Sequence, residues 1–308
     1  MIKAAEYGMI KQNNALNQAA RVTSKRNTSK TRFNSQMIKC EDITAITTAA
    51  RLGVAEAQML DYINYKFNEQ PNHDSAVGVT ISLKEYMDDL GKKDAKTARN
   101  ALKDTLDNLV GTTYSYDSKA NGKSKYNQGF GKHALLEGYD YKSGKAEITF
   151  TGFYTDLLKE NTMPMPYHRL ALKLNPQRDA TAFLMLRALE VNKRTNPDSP
   201  RGNRMKVETL LAKLTTLSTY SEVMSSSSKH TTARIIKPFI KALDRLTSKE
   251  DGALDDYQLV NNTGGVLDAN KADFETFKNA TLSVVWRNYP EENLKKWAKK
   301  RRKHQSKK

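Results

Sequence analysis

The sequence predicts an α+β, mainly helical protein built as two tandem winged-helix domains with flexible basic N- and C-terminal extensions. Three observations lead there. A helix, a turn, a second helix and a basic hairpin follow one another over residues 82–150, and that order recurs over 206–286. The second helix of each copy places apolar residues on one face and basic or polar residues on another. Basic residues exceed acidic ones by 51 to 34, a formal net charge of +17, and the excess collects at the two ends. The expected division is a basic arm over 1–40, a first domain over 41–160, a second over 161–290 and a basic tail over 291–308.

Eight Lys or Arg and one acid, Glu6, lie between Met1 and Cys40. Asn27-Thr28-Ser29-Lys30-Thr31-Arg32 lacks apolar periodicity, so residues 1–40 read as a flexible arm. In the first domain Ser82 is a good N-cap with Glu85 three residues on, a capping box. Leu83, Tyr86, Met87 and Leu90 then fall at helical spacing, and Gly91 stops the helix. Asp94 caps the next helix, where Ala98, Leu102, Leu106 and Leu109 form an apolar stripe. Lys96, Arg99, Asn100 and Lys103 share another face at i, i+3, i+4 and i+7. Gly111 ends this helix, and Thr112 to Tyr116 reads as a strand. The polar stretch Asp117 to Lys125, with Asn121-Gly122 as a hairpin-turn dipeptide, reads as the wing and offers Lys123 and Lys125. A returning strand ends in Ala146-Glu147-Ile148-Thr149-Phe150.

Between the copies, Phe153 to Leu158 reads as a short helix. Met163-Pro164-Met165-Pro166-Tyr167 is a stiff connector, because its two prolines exclude a helix throughout. Asn175-Pro176 is expected to open a long buried helix through Ala180, Phe183, Leu184, Leu186, Leu189 and Val191, with Pro176 at its first position. Asn196 to Asn203 is a surface loop.

In the second copy, Lys206 to Leu214 is a short amphipathic helix, and Thr215 to Ser228 a Ser/Thr-rich connection. The triplet Thr97-Ala98-Arg99 recurs as Thr232-Ala233-Arg234, and Leu106-Asp107-Asn108-Leu109 recurs as Leu243-Asp244-Arg245-Leu246. The offset grows from 135 at the triplet to 137 at the close, so two residues are inserted, and Pro238 among them should kink the helix. Tyr257 to Val260 and Leu282 to Trp286 read as strands joined by a wing-like connection through Asn262-Thr263-Gly264-Gly265. Two copies sharing order and spacing weigh more than one motif.

Composition narrows the function. No stretch approaches the ~18–20 consecutive apolar residues of a membrane span, and the start lacks the apolar run of a secretory signal. Cys40, the only cysteine, excludes an intramolecular disulfide and a Cys-rich zinc site. We therefore expect a cytoplasmic protein with a polyanionic partner, double-stranded DNA above all. Nine of the last fourteen residues are Lys or Arg, among them Lys299, Lys300, Arg301 and Arg302. Such a run also serves solubility alone.

Between Val79 and Trp286 this layout resembles the tandem winged-helix replication initiators of bacterial plasmids. The likeness is carried by Ile148-Thr149-Phe150, Leu157-Leu158, Tyr167-His168-Arg169-Leu170-Ala171-Leu172 and Ala180 to Leu186, bracketed by the two recognition-type helices. The resemblance implies binding to repeated origin sites, local duplex opening and recruitment of host helicase or initiator proteins, with the first domain contributing DNA contact or dimerisation. A transcriptional regulator, or a nucleic-acid-processing enzyme, is the alternative.

No catalytic residue, metal or cofactor is expected. His73, His133, His168, His230 and His304 include no His-x-His pair for a nickase metal, and no Gly-x-x-x-x-Gly-Lys-Ser/Thr loop is present. Asp88-Asp89 and Asp255-Asp256 read as solvated. The expected base-reading residues are Lys96, Arg99, Asn100 and Lys103 in the first copy, and Lys229, His230, Thr231, Arg234 and Lys237 in the second. Arg99 and Arg234 hold the same place in the repeat. Each could instead pack its stem on its module and pair with an acid.

Overall fold

The structure, a computed structural model, describes residues 7–12, 36–40, 43–47, 52–73, 75–118, 129–159, 163–197, 199–228 and 230–291. The chain divides into two compact units, Met9–Pro164 and Met165–Lys308 with Met1–Gly8. No helix among the described residues is long and apolar enough to cross a membrane.

Part of the expected basic arm is strand. Tyr7–Gln12 (β1) and Gln36–Cys40 (β2) are extended, and β2 pairs antiparallel with Ile43–Thr47 (β3). Met9-Ile10 and Met37-Ile38 interrupt the polar run, and Ile10 is fully buried. Val54–Glu69 (α1) has no counterpart in the sequence reading. It buries Tyr62, Ile63, Tyr65 and Phe67 together with Glu56, Gln58, Asp61 and Asn64. A helix buried on most sides shows no clear stripe.

Gly78–Ser82 (β4) leads into Leu83–Leu90 (α2) through the expected capping box. Ser82 Oγ accepts from Glu85 N at 3.1 Å, and Glu85 Oε2 accepts from Ser82 N at 3.1 Å. Gly91 follows in the left-handed region, φ 65°. Asp94 Oδ1 accepts from Thr97 N at 2.7 Å and starts Ala95–Val110 (α3), which buries Ala98, Leu102, Leu106 and Leu109 as the stripe predicts.

The hairpin region holds four strands: Thr112–Ser118 (β5), Gly129–Ala134 (β6), Leu136–Lys142 (β7) and Lys145–Phe150 (β8). They serve two antiparallel sheets. One has the order β2-β3-β5-β6, the other β4-β8-β7. In the second, Gly78 lies so close to β8 that an added Cβ would stand 2.3 Å from the Ile148 carbonyl oxygen. Gly152–Lys159 (α4) is the expected short helix.

Met163–His168 (β9) is the extended connector, and it pairs with β1. His168 is buried. Its Nδ1 accepts from Leu170 N at 3.1 Å, and the Tyr7 ring meets it edge-on at 4.7 Å. Leu170–Lys173 (α5) precedes Ala180–Thr195 (α6). The long helix thus starts four residues after Pro176, because Asn175 Oδ1 accepts from Gln177 N and Arg178 N and holds a turn there. From Ala182 to Glu190 every residue of α6 is buried.

Arg204–Lys206 (β10) and Val207–Leu211 (α7) follow. The Ser/Thr-rich connection contains a helix, Tyr220–Met224 (α8), which Thr219 and Glu222 start with a second capping box. A π-helical turn over Thr232–Ile236 runs directly into Lys237–Leu246 (α9). Leu254–Val260 (β11), Phe274–Asn279 (α10) and Thr281–Trp286 (β12) complete the unit. Its antiparallel sheet has the order β10-β12-β11. Chain order and strand order therefore repeat those of α1, β4, α2, α3, β7 and β8.

Arg245 grips Asp251 through two bonds of 2.7 and 2.8 Å just beyond α9, which holds the Asp251 carboxyl below its ordinary value. A lowered carboxylate pKa stabilises above the unfolded value of ~3.9, and that contribution is lost as pH falls through the folded value. Asp251 is part-exposed, so Asp251→Asn should cost only about 0.5–1 kcal/mol at pH 7. In urea unfolding the difference should shrink as pH falls below the unfolded carboxylate value and vanish once it has passed the folded value. Equal differences at pH 7 and below the folded value would contradict this account of the pair.

Candidate nucleic-acid interface

In the N-terminal unit, α2 and α3 are joined by Gly91-Lys92-Lys93-Asp94. Because α3 buries Ala98, Leu102, Thr105, Leu106 and Leu109, its other side presents Lys96, Arg99, Asn100 and Lys103, all exposed. The structure thus brings these four predicted residues onto one solvent-facing surface. They differ in availability. Lys103 Nζ lies 2.6 Å from Asp107 Oδ2, and the Tyr139 hydroxyl donates to Asp107 Oδ1 at 2.6 Å. The Lys103 bond, and after it the Tyr139 bond, hold the Asp107 carboxyl below its ordinary value. Burial, then Asp107, pushes Tyr139 up to about 12. Among the described residues no carboxylate pairs with Lys96 or Arg99.

The wing lies elsewhere than the sequence suggests. β5 and β6 belong to the separate four-stranded sheet, and Lys123 and Lys125 between them lie outside the described residues. The strand pair that folds onto β4 is β7–β8, whose two-residue turn is Ser143-Gly144, both at positive φ (52° and 77°). Two such residues make the tight turn that matches strand twist. Gly144 O accepts from Leu83 N at 2.8 Å and ties the turn to the start of α2. Tyr141, Lys142 and Lys145 stand exposed beside it. Their signal in the sequence was the Ser-Gly dipeptide, masked by the stronger Asn121-Gly122.

The second helix departs from the first. Lys237 N reaches back to Thr232 O, an i to i−5 bond, and Pro238 has no N–H with which to continue the ordinary ladder. The π turn takes up extra length, as the insertion requires. Counting from the close, the buried Ile235, Phe239, Ala242, Leu243 and Leu246 match Ala98, Leu102, Thr105, Leu106 and Leu109 at a constant offset of 137. Burial therefore puts Ile236, not Arg234, in the place of Arg99. Arg234 is half-buried, and its Nη1 donates to Ser226 Oγ at 2.7 Å. Its partner is a hydroxyl rather than an acid. Ser226 Oγ also contacts Val223 O at 2.7 Å and Ser228 O at 2.9 Å. His230 and Lys237 are exposed, as is Lys241 one turn on, and Thr231 is half-buried. Lys229, Lys299, Lys300, Arg301 and Arg302 lie outside the described residues.

One contact recurs in both units. Tyr257 of β11 donates to Asp244 Oδ1 at 2.8 Å, as Tyr139 of β7 does to Asp107. Each ties the strand before the wing to the last turns of the exposed helix. Burial and this bond raise Tyr257 also. The paired acids are not simply solvated. Asp255 binds Arg287 Nε at 2.8 Å, and Asp89 accepts from Tyr62 at 3.0 Å. Among the described residues no group of three or more His, Cys, Asp or Glu could hold a metal ion.

Comparison with known proteins bears on the N-terminal unit. No curated protein sequence matches the chain. Similar solved structures include a selenomethionine derivative of domains 2 and 3 of RctB, at 15% identity, TM-score 0.48, covering 87% of this chain and 97% of that one. Another crystal structure of RctB domains 2–3 shows 13% identity and a TM-score of 0.45, with 90% and 99% covered. The family model described as initiator replication protein, WH1, matches residues 36–163. That span contains β2 to α4, with the exposed face of α3 and the β7–β8 turn, and over it the chain is similar to the WH1 domain of initiator replication proteins.

Proposed function

We propose that the chain initiates DNA replication by binding duplex DNA sequence-specifically at repeated origin sites and bringing host replication proteins there, without catalysis of its own. The observation that carries this reading is the recurrence, in both units, of one strand order around a helix with an exposed basic face. An α-helix fits the major groove, and its first turns reach base edges. In the N-terminal unit Lys96, Arg99 and Asn100 are the base-reading candidates, and Lys142 and Lys145 contact phosphate. In the C-terminal unit Lys229, His230, Thr231, Arg234 and Lys237 take the corresponding part. Host helicase or initiator proteins and a second copy of the chain are the proposed protein partners.

The test is maintenance of a plasmid that keeps its origin but lacks its initiator gene, with this chain supplied in trans. Maintenance supports initiation. DNA binding with promoter repression and no maintenance would make the chain a regulator, and nicking of supercoiled origin DNA would make it an enzyme.

The basic tail is proposed to meet phosphates. Each phosphate contact released by salt contributes a slope of about −0.9 in log K against log salt. Deleting Lys299 to Lys308 should weaken binding to all duplexes and flatten that slope, leaving sequence preference unchanged because phosphate contacts position without specifying. An unchanged slope in a salt titration would assign the tail to something other than DNA.

A further inference from the structure

The C-terminal unit carries a second cationic feature. A groove of 510 Å³ runs between the C-terminal half of α6, the segment through β10, and α7. Arg201, Arg204, Lys206 and Lys213 line it, and no Asp or Glu does. Among the described residues none of these four is in an ion pair, whereas Lys193, Arg245, Lys278 and Arg287 of the same unit all are. Four neighbouring cations without a counter-ion repel one another, an arrangement that favours an anionic ligand.

The rim is built rather than loose. Asn192 Nδ2 lies 2.8 Å from Arg201 O and 3.2 Å from both Gly202 O and Arg204 O, so one amide fixes the strip that bears both arginines. Gly202 sits so tightly that an added Cβ would stand 2.4 Å from Asn196 O. Ser199 Oγ caps Arg201 N at 3.2 Å. Holding the arginines in place lowers the ordering cost of binding.

From this geometry we infer that the groove docks an acidic, leucine-bearing segment of a partner protein. A duplex presents its phosphates on a convex cylinder and has nothing to place against the apolar floor of Ala188, Val191 and Met205. No aromatic side chain lines the groove, so single-stranded bases have no stacking platform. An acidic peptide supplies carboxylates for the rim and an apolar side chain for the floor. The chain's own ends carry the same sign of charge as the rim, which excludes them as occupants.

The test uses the full chain and a fluorescein-labelled twelve-residue peptide alternating Asp or Glu with Leu, read by anisotropy. A peptide with Lys in place of the acids serves as control. Micromolar binding of the acidic peptide alone is expected. Arg201→Glu with Arg204→Glu should weaken it at least tenfold while duplex affinity stays within twofold. Asn192→Ala keeps every charge but frees the strip, and should weaken the peptide severalfold with an unchanged circular dichroism spectrum. No binding to the parent, or peptide binding unaffected by the double reversal, would overturn the inference. So would a matching loss of a dT twelve-mer or of the duplex, since the groove would then be a nucleic-acid site.

Discussion

Arg234→Ala is expected to cut the preference for a cognate repeat over a scrambled duplex by about tenfold or more, the ~1–3 kcal/mol carried by an arginine that reads a guanine. Non-specific affinity should fall far less. Arg234 is held at 2.7 Å by Ser226 in a wide π turn, so its reach depends on that hydroxyl. Ser226→Ala should therefore reproduce part of the loss, and Ser226→Thr should restore it. Arg99 is exposed on α3. Its replacement should cost less if the first unit mainly pairs protomers, and as much if both helices read bases. Competition with cognate and scrambled duplexes at fixed salt separates these outcomes. An equal loss of affinity for both duplexes in Arg234→Ala would mean that this helix does not read bases.

Phe239→Ala should have the largest effect on stability. Phe239 is a fully buried residue of α9, and its ring meets Phe277 of α10 edge-on at 5.2 Å. Removing a buried phenylalanine costs about 3–5 kcal/mol. At about 2–4 °C per kcal/mol for a chain of 150–250 residues, melting of the C-terminal unit should drop by roughly 10 °C. Cognate binding should fall with it at 37 °C, because α9 loses its seat. Leu102→Ala in the matching place of α3 should destabilise the N-terminal unit instead. A scan in which Phe239→Ala leaves melting unchanged would contradict the packing of α9.

How much was legible in the sequence depended on whether the signal was local. The capping box at Ser82 and Glu85, the Asp94 cap and the left-handed Gly91 are fixed by neighbours in sequence, and all were read. The stripe of α3 was legible because one side of it faces water. α1 was not, because burial on most sides removes the stripe. The box at Thr219 and Glu222 was present but hidden in a Ser/Thr-rich run, and Asp273, whose Oδ1 accepts from Thr276 N, starts a helix too short to show a period.

The wing was misplaced for a different reason. Asn121-Gly122 is a strong turn signal, but which hairpin folds onto β4 is settled by pairing across 71 residues, as in Gly78 with Thr149. Composition does not encode that. The exposed face of α3 was read correctly residue by residue. The second helix was not, since the repeated Thr-Ala-Arg triplet suggested a register that Pro238 and the π turn displace.

Both units are proposed to read duplex DNA at repeated sites. Footprinting on the DNA beside the chain's own gene tests this proposal most directly. Protection of regularly spaced direct repeats is expected, with Arg99→Ala and Arg234→Ala each weakening protection within the repeat but not between repeats. Uniform protection that ignores sequence, or none at salt concentrations where the duplex is still bound, would contradict it.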